Sequence, residues 1–541
     1  MKEIIANLLS KQLKLPKEQI LSLIEIPKEE YGDYAFPCFI LTSKLRLPPQ
    51  EIAIELARKL KSTNEIKKIQ ATGPYINFFI NKKILAEQVL KINLIKAKNK
   101  EKIILEHTSV NPNAAPHVGR TRNSFIGDSI KRILQFQGHK VETHYYINDV
   151  SKQVAILALN FKPKDNFDDL LRKYVEISKK IKQNPELEKK VFILLHKFEH
   201  KDKETTALFN KIVDIAIKGQ KEIFKNIGIN FDYFDYESKY LSESKNILAS
   251  LDKTGKLFKD KENRIVLNQK GTGLEIKMKA AFLVLTRNDG TGLYPLRDLA
   301  YTIEKCKKGR NIIILGEDQK LYFEQIKQAL ILLKKPYPQV VHYSFVLIQT
   351  DSGTQKMSTR AGELVLLEEF ISEAVKKARI EIVKRKTSGN PKTIAIAAVK
   401  YAMLRNENNK NIIFDWNQAL NFEGDSGPYL LYSYARASSI LRKAKKKKSK
   451  IIIPEPTENE VKLIKKILSF QETLEQAYKN LAPSLIANYS FELAQIFNEF
   501  YHANKVLGSE EESFRLALVE KFRETLKTSL SLLGIDVLER M

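Results

Sequence analysis

Glu106 to Asp128 reads EHTSVNPNAAPHVGRTRNSFIGD. A short apolar run, Lys102 to Leu105, precedes it and is bounded like a buried strand. After the turn, Phe125, Ile126, Ile130, Ile133 and Leu134 recur at helical spacing until Gly138 closes the pattern. Lys140 to Tyr146 then reads as another strand. A strand, an Asn/Pro-rich turn, a helix and a strand make a parallel crossover. The turn puts His117 and Gly119 where the helix begins, with Arg120 and Arg122 just after. A helix start offers unpaired N–H groups and the positive end of a dipole, which suits phosphate. Gly119 lets a nucleotide approach the backbone, and His117 can donate to a phosphate oxygen. Taken alone, these four residues read more simply as a tight turn with a solvated basic first helical turn. The phosphate reading draws on other stretches.

Outward from this segment, Ala281 to Leu285, Asn311 to Leu315 and Val340 to Leu347 are apolar, β-branched runs. They alternate with helical patterns over Asp298 to Lys308 and Leu321 to Lys334. Such alternation predicts an α/β, doubly wound parallel sheet of Rossmann type, whose ligands bind beyond the carboxyl ends of the strands. Phe161 to Asp235 is helical and heavily charged, with little sheet signal, and reads as an insertion. Upstream, residues 1–95 look like a small α/β or α+β module, with an amphipathic helix at Ile52 to Leu60 and a strand at Tyr75 to Ile80. Lys96 to Glu101 reads as a linker. From about residue 377 strand signals stop, and long helices follow at Ile394 to Leu404, Tyr429 to Lys443, Phe491 to Leu507 and Leu516 to Leu533. The expected organisation is residues 1–95, 96–420 (with the insertion at about 161–235) and 421–541, the last all-α.

Composition narrows the class. A chain of 541 residues is too long for one core, so about two to four domains are expected. No apolar run approaches membrane-spanning length, and the N-terminus lacks the pattern of a secretory signal. Cys38 and Cys306 are the only cysteines, which excludes a disulfide framework or a cysteine-based zinc site and fits a reducing, cytoplasmic compartment. The net charge of +27 favours a polyanionic partner such as nucleic acid, although a solubilising lysine-rich surface gives the same number. The run Lys443 to Lys450, KAKKKKSK, reads as a solvated linker that can also meet phosphates.

Asp351 to Gly362, DSGTQKMSTRAG, follows a strand and places Lys356 and Arg360 on a loop of small polar residues. A cationic loop facing a phosphate-binding helix start can clamp a triphosphate and follow charge onto the leaving pyrophosphate. HVGR followed far downstream by KMSTR resembles the paired HIGH and KMSKS signatures of class I aminoacyl-tRNA synthetases. The opening segment, DGTGLYPLRDLAY, NIIILGEDQ and EGDSGPYLLYSYAR resemble, in order, blocks of the arginyl-tRNA synthetase family, as do the N-terminal YGDYAFP and GPYINFFIN and the C-terminal GIDVLERM.

That resemblance implies a Rossmann-type catalytic domain, an N-terminal domain contacting the tRNA elbow, and a helical anticodon-binding domain. It implies ATP-dependent ligation of L-arginine to tRNA(Arg) through arginyl-adenylate, Mg²⁺ accompanying ATP, no resident metal and a monomer. Carried over residue by residue, it places His117, Gly119, Arg120, Lys356, Met357, Ser358 and Arg360 at the ATP phosphates. Glu106, Asn111, Tyr294, Asp298 and Gln319 fall at the arginine, and Tyr429, Tyr432 and Met541 at the anticodon loop. The chemistry agrees, since a guanidinium's planar fork of donors is best met by carboxylates, and unstacked bases sit on aromatic faces. Taken without the resemblance, Asp298 reads as a helix N-cap, Tyr294 as a core aromatic and the tyrosine pair as core or base platform. Three positions depart from the family pattern: Arg120 replaces the second histidine of HIGH, Thr359 the second lysine of KMSKS, and Ala114 a compensating lysine. Arg120, Arg360 or both are expected to supply the missing charge. Rival readings are another class I synthetase or a non-catalytic tRNA-binding paralogue.

Overall fold

The computed structural model describes residues 1–92, 101–350, 353–356, 365–444 and 451–541. Contacts divide the chain into two compact units. One comprises residues 1–94, 440–470 and 495–525; the other comprises 95–439, 471–494 and 526–541.

The first unit holds a three-stranded antiparallel sheet in the order Tyr34–Pro37, Tyr75–Ile80, Ile66–Thr72. YGDYAFP and GPYINFFIN thus lie side by side, Tyr34 opposite Phe78. Gly32, at φ +128°, makes the bend that only glycine adopts freely, and Asp33 then accepts from the Ile80 amide at 2.6 Å and pairs with Lys465. The helical residues of this unit pack around stacked Phe497 and Phe522 and a buried Glu460–Arg515 pair at 2.8 Å.

The second unit is built on a five-stranded parallel sheet. Its spatial order is Gln339–Tyr343, Arg310–Gly316, Lys102–Thr108, Lys140–Ile147, Tyr233–Tyr236. In chain order this is 5-4-1-2-3, so the winding reverses between Lys102–Thr108 and Arg310–Gly316. A crevice opens there beyond the carboxyl ends of the strands. The helix Val118–Phe136 carries the first crossover, burying Phe125, Ile126, Ile130, Ile133 and Leu134.

Four expectations change. The run 281–285 does form a strand, Phe282–Val284, but in a separate antiparallel sheet with Leu257–Lys259 and Ile265–Asn268. A short apolar run gives no indication of which sheet it joins. The run 340–347 is two strands, Gln339–Tyr343 and Val346–Thr350, divided at Ser344, whose amide donates to the Asn408 carbonyl at 3.0 Å. Strands do not stop at 377: Ile412–Phe414 pairs in parallel with Val346–Ile348, too short to stand out among helices. Finally, the insertion's end belongs to the sheet, as Tyr233–Tyr236 is its edge strand. Lys96–Lys100 of the expected linker and 445–450 of the lysine run lie outside the described residues. No helix among the described residues is long and apolar enough to cross a membrane.

Candidate active site

The crevice at the winding reversal is a cavity of about 570 Å³. Its lining includes Glu106, Asn111, Tyr294, Asp298 and Gln319, together with His117 and Arg120. The structure therefore brings the whole expected arginine set together, with two members of the phosphate set at the same opening. Gly119 lies in the first turn of the adjoining helix. Lys356 ends the strand Gly353–Lys356, while Met357, Ser358, Thr359 and Arg360 lie outside the described residues. The chain re-enters the described structure beside HVGR: Val118 donates to the Val365 carbonyl at 3.0 Å, and Leu367 to the Pro116 carbonyl at 2.9 Å. One otherwise unpaired donor of the helix start is thus used by the protein itself.

One wall is a helical stripe. Tyr294, Asp298, Tyr301 and Lys305, spaced four, three and four apart on the helix Tyr294–Lys308, face the cavity together. Asp298 is in the second turn, not at an N-cap, and its carboxylate accepts from the Tyr322 hydroxyl. Burial raises it to about 6, with the Tyr322 bond and Arg297 pulling the other way. Tyr294 is 51% exposed, so it is not a core aromatic. Tyr301 stacks on Tyr146 at 4.4 Å and donates to Asp235 at 2.9 Å.

Sequence reasoning missed several residues of this site. Glu237 is 1% exposed and lines the cavity; one of its oxygens binds Arg297, while Oε2 is buried without a partner. Burial lifts it to about 7 against the pull of Arg297. Lys305 pairs with Glu106. Gln220, on the insertion's last helix Lys203–Asn226, donates to the carbonyls of Asn111 (3.0 Å) and Ala114 (2.8 Å), fixing the NPNAAP turn. A lone glutamine among Ile212, Val213, Ala216, Ile217, Ile223 and Phe224 was the available signal.

The phosphate side is simpler. His117 is the N-cap of its helix, with Nδ1 buried and unpartnered, and burial followed by Arg120 lowers its pKa. Arg120 is exposed and sits 3.3 Å from Asp318. Arg122 departs from the basic-turn reading. It is fully buried and donates to the carbonyls of Met403, Ser344, Lys410 and Glu407 at 2.7–3.3 Å, so it ties the helix to the 403–410 connection. Away from the cavity, Tyr429 and Tyr432 are half-buried on the helix Gly427–Lys443, Tyr429 near Phe491 and Tyr432 under Arg436. Met541 lies beside Gly389.

A doubly wound sheet with carboxylates at its reversal and a histidine-capped helix beside them is the architecture of a class I synthetase catalytic domain. Residues 81–416 match the family model for the catalytic domain of class I tRNA synthetases (R), residues 430–541 the DALR anticodon binding domain, and residues 1–80 the arginyl tRNA synthetase N-terminal domain. Arginine–tRNA ligase of Methanocaldococcus jannaschii is 37% identical, covering 100% of this chain and 98% of the relative. That of Clostridium perfringens is 32% identical over 100% of both. The solved Thermus thermophilus arginyl-tRNA synthetase superposes with a TM-score of 0.82 at 26% identity, covering 100% of both chains. The chain belongs to the arginyl-tRNA synthetase family, and it is a class I arginine–tRNA ligase that uses ATP.

Proposed function

We propose that the protein joins L-arginine to tRNA(Arg) through arginyl-adenylate, with both activation substrates in the cavity at the sheet reversal. The observation that carries this assignment of the site is the convergence of Glu106, Asn111, Tyr294, Asp298 and Gln319 on one cavity that also exposes His117 and Arg120. Asp298 receives the guanidinium; Glu106, Asn111, Tyr294 and Gln319 orient the amino acid. His117, held neutral by burial, donates to the ATP phosphates at the helix start, with Gly119 leaving room for them. Arg120, Lys356 and Arg360 carry phosphate charge as pyrophosphate leaves, while Met357 and Ser358 shape the ATP side. Holding carboxylate and α-phosphate in one cavity is the positioning that adenylate formation requires. Mg²⁺ enters on the ATP phosphates, as part of the substrate.

For tRNA, residues 1–95 meet the elbow, 96–420 carry the chemistry and 421–541 read the anticodon. Tyr429 and Tyr432 offer ring faces to bases, and Met541 lies at the same loop. The net charge of +27 suits the tRNA backbone. The protein works as a monomer in the cytoplasm, where unpaired Cys38 and Cys306 stay reduced. Aminoacylation with labelled arginine and total tRNA tests the reading. Charging with arginine is expected; failure to charge, with tRNA still bound, would establish the non-catalytic paralogue instead.

A further inference from the structure

We propose that Lys305 is a positioning residue that sets the charge of the amino-acid pocket: by neutralising Glu106 it leaves Asp298 as the carboxylate free for a single guanidinium. This deepens the arginine reading and rests on it.

The charges at the cavity cancel in pairs. Glu106 is matched by Lys305, Glu237 by Arg297, and Asp318 by Arg120. Among the described lining residues, Asp298 is the carboxylate with no ion pair; its partner is the neutral Tyr322 hydroxyl. The pocket is thus one negative charge in excess, which one substrate cation cancels. A site with two unmatched carboxylates, or with none, would suit a monocation less well.

Lys305 is also placed where only its charge accounts for it. It is 2% exposed, and its ammonium stands 4.0 Å from the centre of the Tyr301 ring while reaching the Glu106 carboxylate. Burying an ammonium costs far more than burying a methionine of similar length, so packing gives no reason for a lysine here. Its contact is with Glu106 Oε2. Helical side chains lean back towards the N-terminus, which carries Lys305 from the last turn towards Asp298 and Tyr301.

The test compares arginine and ATP KM and kcat in tRNA-dependent pyrophosphate exchange for wild type, Glu106→Gln, Glu106→Gln/Lys305→Met and Lys305→Arg, with a melting curve for each. Glu106→Gln leaves a bare ammonium beside the guanidinium site, so the arginine KM is expected to rise more than about tenfold with the ATP KM within about twofold. Removing that ammonium in the double variant is expected to recover at least about fivefold of the loss, and Lys305→Arg to stay within about threefold of wild type. A double variant as poor as Glu106→Gln, or a Lys305→Arg variant impaired equally for arginine and ATP, overturns the proposal. The double variant buries a neutral pair, so folding does not depend on an unmatched charge. A wild type that fails to activate arginine removes the substrate reading and this proposal with it. Activity in wild type without recovery in the double variant removes only the role of Lys305.

Discussion

Gly127 lies directly beneath the imidazole of His107. A Cβ built on it would overlap the ring at Cγ and Cδ2. His107 is the extra residue of a bulge between Glu106 and Thr108, 1% exposed, with Nδ1 2.6 Å from the Thr108 hydroxyl. The close approach of helix to strand therefore fixes the residue next to Glu106. Gly127→Ala should cost about 1–3 kcal/mol of stability from overpacking. It should also lower kcat/KM for arginine, since Glu106 must shift with its neighbour. A melting curve and pyrophosphate exchange check both; unchanged values would mean that the bulge does not set Glu106.

Gln220→Ala strands two carbonyls of the NPNAAP turn, those of Asn111 and Ala114. Its side chain is 1% exposed and also accepts from the Tyr145 hydroxyl at 2.8 Å. Losing these bonds should destabilise by about 1–3 kcal/mol. Because the turn leads into His117, KM should rise for both arginine and ATP. A loss confined to melting temperature would assign Gln220 to folding alone.

Asp298 gives the arginine site a pH dependence of defined sign. Burial raises its pKa from 3.8 to about 6, so between those values the folded chain holds a proton that the unfolded chain releases. This group's contribution to stability therefore rises as pH falls through that window, while the affinity for a cation falls. Glu237, lifted to about 7 by burial, extends the same behaviour upward. Calorimetric arginine affinity should fall as pH drops from about 8 to about 5 in wild type, and the fall should be shallower in Asp298→Asn. A flat wild-type profile would contradict the assignment.

Arg120 is an exposed arginine paired with an exposed aspartate, a pair that contributes little to stability. Arg120→Ala should therefore leave the melting temperature unchanged but raise the ATP KM by about tenfold, or one lost charge-assisted contact. Arg360→Ala should act in the same direction. Near-normal pyrophosphate exchange in both variants would mean that the family's missing positive charges need no substitute.

The periodic parts of this architecture were legible in the sequence. The first crossover follows from the spacing of Phe125 to Leu134, and the cavity's place from the strand–helix alternation. Residues that act through the backbone were not legible. Arg122 looks like its neighbour Arg120 in a one-dimensional string, yet it turns inward to four carbonyls contributed from residues 344 and 403–410. Glu237 follows an edge strand hidden at the end of a charged helical segment, so nothing local distinguishes it from a surface acid. Lys305 was available in principle from the four-three-four spacing with Tyr294, Asp298 and Tyr301, but a lysine near a helix end ordinarily reads as a dipole partner.

The helix that begins with HVGR is held from behind by chain made much later. Ser129 donates to the Leu532 carbonyl at 2.8 Å, 403 residues away, and Lys400 donates to the Gly534 carbonyl at 2.6 Å. Gly534 fits because a Cβ there would stand 2.6 Å from Asp128 and 2.8 Å from the Lys400 ammonium. At ribosomal speed that separation is about 20–80 s of synthesis. From the making of Tyr343 to the end of that interval the nascent catalytic unit has its five strands but lacks the backing of its signature helix. A chain ending shortly before residue 530 lacks both contacts, and its melting temperature should fall below that of the full chain.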